Sequence, residues 1–275
     1  MEMLVRSLGE TAPKVANYRG TMVYLGLGIV WFVWLVSFWV GAHLMALLGI
    51  TQPVWVSYFV PLFPLIAGSC AFGLLDDWVG DDNAKGFKGH LSAFKKGTIT
   101  TGGLKMIGIG FLSLFTSFSL YWVGISSLPR ILLVTCVIAL MANFINLFDL
   151  RPGRAGKVYI VVLMIAVLCI IFGNVIHLDA VTIVAVVIAG LGPLIAVFRF
   201  DLGEKGMLGD AGANSMGAFL GFLLATSLPL VALALLTVLL FSLNILGERV
   251  SFTRLIEGNR VLNTLDMIGR KDRRG

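Results

Sequence analysis

The sequence predicts an all-α integral membrane protein, a polytopic bundle of about eight transmembrane helices that forms one domain over residues 1–275. Three observations carry this. The chain is 58% hydrophobic and 13% charged, with a mean hydropathy of +0.94, whereas soluble domains average roughly 45–50% apolar and about 25% charged. Its apolar residues fall in runs close to the roughly 20 residues that a helix needs to cross the hydrocarbon layer. Its Lys and Arg residues collect between alternate runs.

In chain order the runs are residues 22–49, 53–75, 103–125, 130–148, 157–174, 180–198, 207–226 and 229–247. Turn-forming residues separate several of them: Thr51-Gln52-Pro53, Ser126 to Pro129, Asn174 to Asp179 and Ser227-Leu228-Pro229. Residues 1–20 have no apolar signal core, and the first run is too long for one, so no cleavable leader is expected. An even number of spans puts nearly all basic residues on one face. These are Arg6, Lys14 and Arg19, then Lys85, Lys88, Lys95, Lys96 and Lys105, then Arg151, Arg154 and Lys157, then Arg199 and Lys205, and the basic residues from Arg249 to Arg274. Arg130 is left alone opposite. The positive-inside rule makes the basic face cytoplasmic, with both termini on it, in a cell (plasma) membrane.

Two segments read as interfacial. The basic loop 84–101 sets Phe87, Leu91 and Phe94 at helical spacing beside Lys88, Lys95 and Lys96. The cytoplasmic amphipathic tail 249–275 sets Phe252, Leu255, Ile256, Leu262 and Leu265 among arginines. Basic amphipathic helices of this kind lie on membrane surfaces. A net charge of +6 raises nucleic acid as a partner, but these charges flank spans. Membrane lipids with anionic head groups, or phosphorylated substrates, are therefore expected, and nucleic acid is not. Cys70, Cys136 and Cys169 each sit inside an apolar run, with neither metal-ligand spacing nor a disulfide framework. The sequence leaves a homodimer open.

Acidic residues in spans cost about 2.5–3.5 kcal/mol at the helix centre and less near the ends, so their placement is informative. Asp76 and Asp77 end the second span, Asn146 and Asp149 end the fourth, and Asp210 opens the seventh in Leu208-Gly209-Asp210-Ala211-Gly212-Ala213-Asn214. The expected topology brings all of them to one cytoplasmic interface as a single polar cleft. Crowded carboxylates need a cation, and oxygen ligands without His or Cys favour Mg²⁺, which keeps waters and bridges substrate phosphates. Asp210 beside glycines at a helix start would leave backbone N–H groups free for an anion. Such parts suit phosphoryl transfer, which relies on positioning and charge neutralisation. Each motif also has a plainer reading: a solvated helix end at Asp76-Asp77, a cap at Asn146 and Asp149 paired with Arg151 or Arg154, and a simple N-cap at Asp210. Ala213, Gly217, Gly221 and Ala225 recur every fourth residue, a small-residue face on which a neighbouring helix can pack closely.

Leu74-Leu75-Asp76-Asp77, Asn146-Leu147-Phe148-Asp149 and the Gly209-Asp210 segment come in the order and rough spacing of a known set. Together they resemble the polyprenyl-phosphate N-acetylhexosamine-1-phosphate transferases, the family that includes phospho-N-acetylmuramoyl-pentapeptide transferase, over most of the chain from about Lys14. The resemblance implies a Mg²⁺-dependent reaction in which a UDP-amino sugar gives its sugar-1-phosphate to a polyprenyl phosphate such as undecaprenyl phosphate, releasing UMP. It implies that Asp76 and Asp77 act on the lipid phosphate, that Asp210, helped by Asn146, binds the metal, that Asn146 and Asp149 line the nucleotide-sugar site, and that Lys105 contacts the diphosphate. Lys14 or Arg19 matches a basic residue before the first conserved span only loosely. The chain departs from the family in four ways, one of them a longer loop from Lys85 to Gly103 between the Asp pair and Lys105. Pro152 stands where many members carry a second aspartate, the late His-rich loop of the cell-wall members is missing, and fewer spans are evident. Of the histidines only His90 is expected in the cytoplasm, as a candidate phosphate or sugar contact. The alternative is a non-catalytic lipid-phosphate binding protein or transporter on the same scaffold. A transporter needs polar groups near the bilayer midplane, and here they fall at span ends. The aspartate pattern of CDP-alcohol phosphotransferases is not found.

Overall fold

A computed structural model describes residues 12–49, 59–80, 86–124, 126–173, 175–176 and 178–270, without the side chain of Phe87. Arg6, the Thr51-Gln52-Pro53 turn, the expected start of the second span at 53–58, Lys85, Asn174 and the tail beyond Arg270 lie outside the described residues. The described chain is mostly helical. In order, its helices are α1 (Ile29–Leu47), α2 (Leu62–Val79), α3 (Gly86–Lys95), α4 (Thr101–Trp122), α5 (Ile131–Asn146), α6 (Arg154–Phe172), α7 (Ala180–Leu202), α8 (Gly209–Ser227), α9 (Leu230–Arg249), α10 (Phe252–Gly258) and α11 (Arg260–Met267). Seven of them, α1, α2, α4, α5 with its preceding turn, α6, α7 and α9, are long and apolar enough to cross a membrane. The basic loop expected at the interface forms α3, which exposes Leu91 and Phe94, and the tail forms α10 and α11.

The run expected as the seventh span is α8, which is not among the seven. It is the axis of the bundle: every residue except Asp210 is buried, and α8 packs against α5, α2, α6 and α1. A helix enclosed by other helices meets no lipid, so close approach matters more than lipophilicity, and small residues provide it. A Cβ on Gly217 would fall 2.5 Å from Ala142 Cα, and one on Gly221 2.6 Å from Ile138 Cα, both on α5. The small-residue ladder is the α5–α8 contact.

The bundle also holds a small sheet that the sequence reading does not foresee. Strand β1 (Lys14–Ala16) pairs antiparallel with β2 (Met22–Leu25), and β2 pairs parallel with β3 (Gly206–Met207). Residues 22–25, expected as the start of the first span, are therefore strand. The reason is a period of two: Val23 and Leu25 are buried while Met22 points out. Gly26, at φ +112°, then breaks the strand before α1 begins. The sheet ties the N-terminal hairpin to the segment just before α8. At the other end of α8, Arg130 donates to the carbonyls of Ala225 (2.8 Å) and Leu228 (2.7 Å). The lone basic residue expected opposite is thus a cap for terminal carbonyls.

Candidate functional site

The first N–H groups of any helix have no partner within it. At α8, Asp210 N–H donates to Asp77 Oδ1 (2.9 Å) and Ala211 N–H to Asp77 Oδ2 (3.1 Å), and the Asp149 carboxylate lies beside the Gly209 N–H. Carboxylates from α2 and from the turn after α5 thus converge where the helix dipole is positive. Gly209 has φ +70°, and a Cβ on it would sit 2.6 Å from Asp77 Oδ2, so the position needs glycine on both counts. These amides were expected to stay free for a substrate anion. The structure fills them with the protein's own acids, because Asp77 and Asp149 reach the helix end from neighbouring elements.

Lys105, near the start of α4, closes the open side of the cluster. Its ammonium donates to Asp76 Oδ2 (2.6 Å) and to Asp210 Oδ2, and the Thr101 hydroxyl donates to Asp76 Oδ1 (2.6 Å). The Lys105, Asp76 and Asp210 side chains are 12%, 17% and 24% exposed, so water screens these pairs less than it does surface ion pairs. Asp76, Asp77, Asp149, Asp210 and Lys105 therefore meet at one end of the bundle. Burial, reinforced by the carboxylates of Asp201, Asp210 and Asp77, pushes the Asp149 acid well above the usual carboxylate range, and the Gly209 N–H offsets only part of this. Among the described residues Asp149 has no cationic partner.

Arg151 and Arg154, candidates for pairing with Asn146 or Asp149, are engaged elsewhere. Arg151 donates to Glu257 (3.0 Å) and lies over the Tyr18 ring, 4.3 Å from its centroid, while Arg154 binds Asp266. Asn146 is half-buried at the last residue of α5, where its carbonyl accepts the Asp149 N–H at 3.1 Å. His90 does not touch the carboxylates directly. Its Nδ1 lies 2.7 Å from the hydroxyl of Thr100, the N-cap of α4, and a Cβ on Gly102 would meet its ring at 2.6 Å. It braces the turn from which Thr101 and Lys105 reach Asp76. Arg19 pairs with Glu204 and Lys14 lies over Tyr24.

Asp201, at the end of α7, escaped the sequence reading. It is 6% exposed, accepts the Gly153 N–H at 2.8 Å, and lines a small pocket with Asp149, Pro152, Glu204, Asn17 and Tyr18. The rule that singles out Asp76, an acid at the end of an apolar run, applies equally to Asp201.

Among the described residues no three His, Cys, Asp or Glu side chains form a group able to hold a metal ion unaided. Mg²⁺ does not demand such a cage, since it commonly binds through one or two carboxylates, waters and substrate phosphates. Asp76 and Asp210, both half-buried, face the Lys105 ammonium, and these two carboxylates are the ones such an ion would draw on. The donor set fits. No protein family, curated protein or solved structure matches the chain.

Proposed function

We propose that the protein is a Mg²⁺-dependent phosphotransferase that moves a sugar-1-phosphate from a UDP-amino sugar to a polyprenyl phosphate at the cytoplasmic membrane face. The supporting observation is the meeting of Asp76, Asp77, Asp149 and Asp210 at the start of α8, with Lys105 bound to Asp76 and Asp210. In this reading α8 is an eighth span, both termini are cytoplasmic, and the bundle lies in the plasma membrane.

The reaction forms a P–O bond between the lipid phosphate and the sugar-side phosphorus of the donor. It breaks the bond to the uridine-side phosphate, and UMP leaves. Asp76, tied to Lys105 and Thr101, orients the incoming lipid phosphate. Asp77 keeps the start of α8, and hence Asp210, in place. Asp210 and Asn146 would hold Mg²⁺, which neutralises diphosphate charge. Asp149 lines the nucleotide-sugar side, Lys105 takes up charge as UMP departs, and His90 supports the phosphate end of the cleft from α3. Phosphoryl transfer depends chiefly on such placement. The acids sit in terminal turns of α2 and α8, which suits chemistry at a head-group interface better than passage through the midplane.

The test uses purified protein in lipid with Mg²⁺, undecaprenyl phosphate and a panel of UDP-amino sugars. UMP release is expected with at least one donor, and Asp210→Asn or Lys105→Met should each lower kcat by roughly 100-fold or more. Binding of the lipid phosphate without UMP from any donor would favour the non-catalytic alternative and sink the transferase. An unchanged rate in Asp210→Asn would sink it as well.

A further inference from the structure

The turn that carries Asp149 joins α5 to α6 through residues 147–153, and the C-terminal helices are packed onto it. Phe252 stacks on Phe148 with ring centroids 5.2 Å apart and 7° between planes. Glu257 accepts from Arg151 at 3.0 Å, and Arg270 Nε donates to the Pro152 carbonyl at 2.9 Å. Directly behind the turn, Arg154 holds Asp266 at two points, Nε to Oδ1 at 3.0 Å and Nη2 to Oδ2 at 2.8 Å, while its Nη1 donates to the Thr253 hydroxyl at 2.8 Å. Arg270 Nη2 adds a bond to Asp266 Oδ1 at 2.7 Å, and Lys157 donates to the Asp266 carbonyl. Arg154 is 3% and Asp266 6% exposed. A tail that only rested on a membrane would keep such charges in water. Here a two-point Arg–carboxylate pair, which is directional as well as strong, is buried behind the site. From the other side, Asp201 of α7 takes the Gly153 N–H.

We propose that Phe252–Arg270 is a clamp that fixes the turn bearing Asp149 against α8, with Asp266 as its positioning residue. Burial pushes the Asp266 acid up, but Arg154, Arg270 and Lys157 outweigh this and hold it below the usual carboxylate range. The clamp is therefore charged and closed near neutral pH. Its effect on rate rests on the transferase reading, whereas its effect on the turn does not.

The experiment compares full-length wild type with Asp266→Asn, Asp266→Glu and Arg270→Gln in lipid nanodiscs, reading amide hydrogen exchange and UMP release together. Asp266→Asn should speed exchange across residues 147–153 by about tenfold or more while α2 and α8 keep their protection. It should lower kcat about tenfold, with KM for the polyprenyl phosphate unchanged within about twofold, because the α2–α4 side is untouched. Arg270→Gln should show the same pattern more weakly, and Asp266→Glu should recover part of the loss. Unchanged exchange at 147–153 in Asp266→Asn overturns the clamp, as does a uniform rise throughout the bundle. If wild type makes no UMP while Asp266→Asn still loosens the turn, the transferase reading fails and the clamp stands.

Discussion

Asp77 spends both carboxylate oxygens on the N–H groups of Asp210 and Ala211, while its neighbour Asp76 takes Thr101 and Lys105. Adjacent acids on one helix therefore do different work. Asp77→Ala should leave two amides unpaired at the buried end of α8 and lower stability by about 1–3 kcal/mol. Asp77→Asn, whose amide oxygen still accepts, should lose roughly half of that. Denaturant unfolding in detergent measures both, and an alanine variant as stable as wild type would remove Asp77 from the cap. The sequence made the Asp pair legible as a candidate site, since an acid at a span end is costly. It could not divide the two roles, because that depends on which face of α2 meets α8, and α8 lies far along the chain.

At the scale of elements, α8 shows what sequence patterns reach and where they stop. Its four-residue ladder of Ala213, Gly217, Gly221 and Ala225 was readable as a packing face, and its partner α5 was not. Its low lipophilicity follows from enclosure, which a hydropathy scan along one chain cannot register. Replacing Gly217 by Ala should wedge α8 from α5 and destabilise the protein by about 1–3 kcal/mol. Gly110 on α4 has open space where a Cβ would go, so Gly110→Ala should be neutral or stabilise by up to about 1 kcal/mol. Thermal unfolding of the pair gives the answer as a difference, and equal shifts would mean that the α5–α8 contact is looser than its geometry. The strand at residues 22–25 and the inward-facing acid of α11 went unread for a related reason. Short apolar alternation ahead of a long apolar run looks like more of that run, and a basic amphipathic tail looks as if it rests on the membrane surface until its partner on α6 is known.

Across the whole molecule, charge is divided between two ends. The carboxylates and Lys105 gather at the start of α8, and Arg130 closes its far end. Helix α4 runs from the first end to the second over 22 residues, which at 1.5 Å each is about 33 Å and matches the hydrocarbon thickness. Before it comes a loop carrying Lys88, Lys95 and Lys96, after it a turn with none but Arg130. Placing a charge across the membrane against its potential costs about 2.3 kcal/mol for each 100 mV, so the lysine-bearing end should stay inside. In a background with Cys70, Cys136 and Cys169 replaced by alanine, two exposed positions flanking α4 report the outcome, Lys96→Cys before it and Ser127→Cys after it. An impermeant maleimide applied to intact cells should label Ser127→Cys promptly and reach Lys96→Cys only after permeabilisation, with rates differing by about tenfold or more. Labelling of both from one side would mean that α4 does not cross and that the grouping of acids is not an interfacial cleft. The reverse pattern would leave the fold intact but place Asp210 and Lys105 outside, away from any cytoplasmic nucleotide sugar, and the proposed transfer would lose its donor.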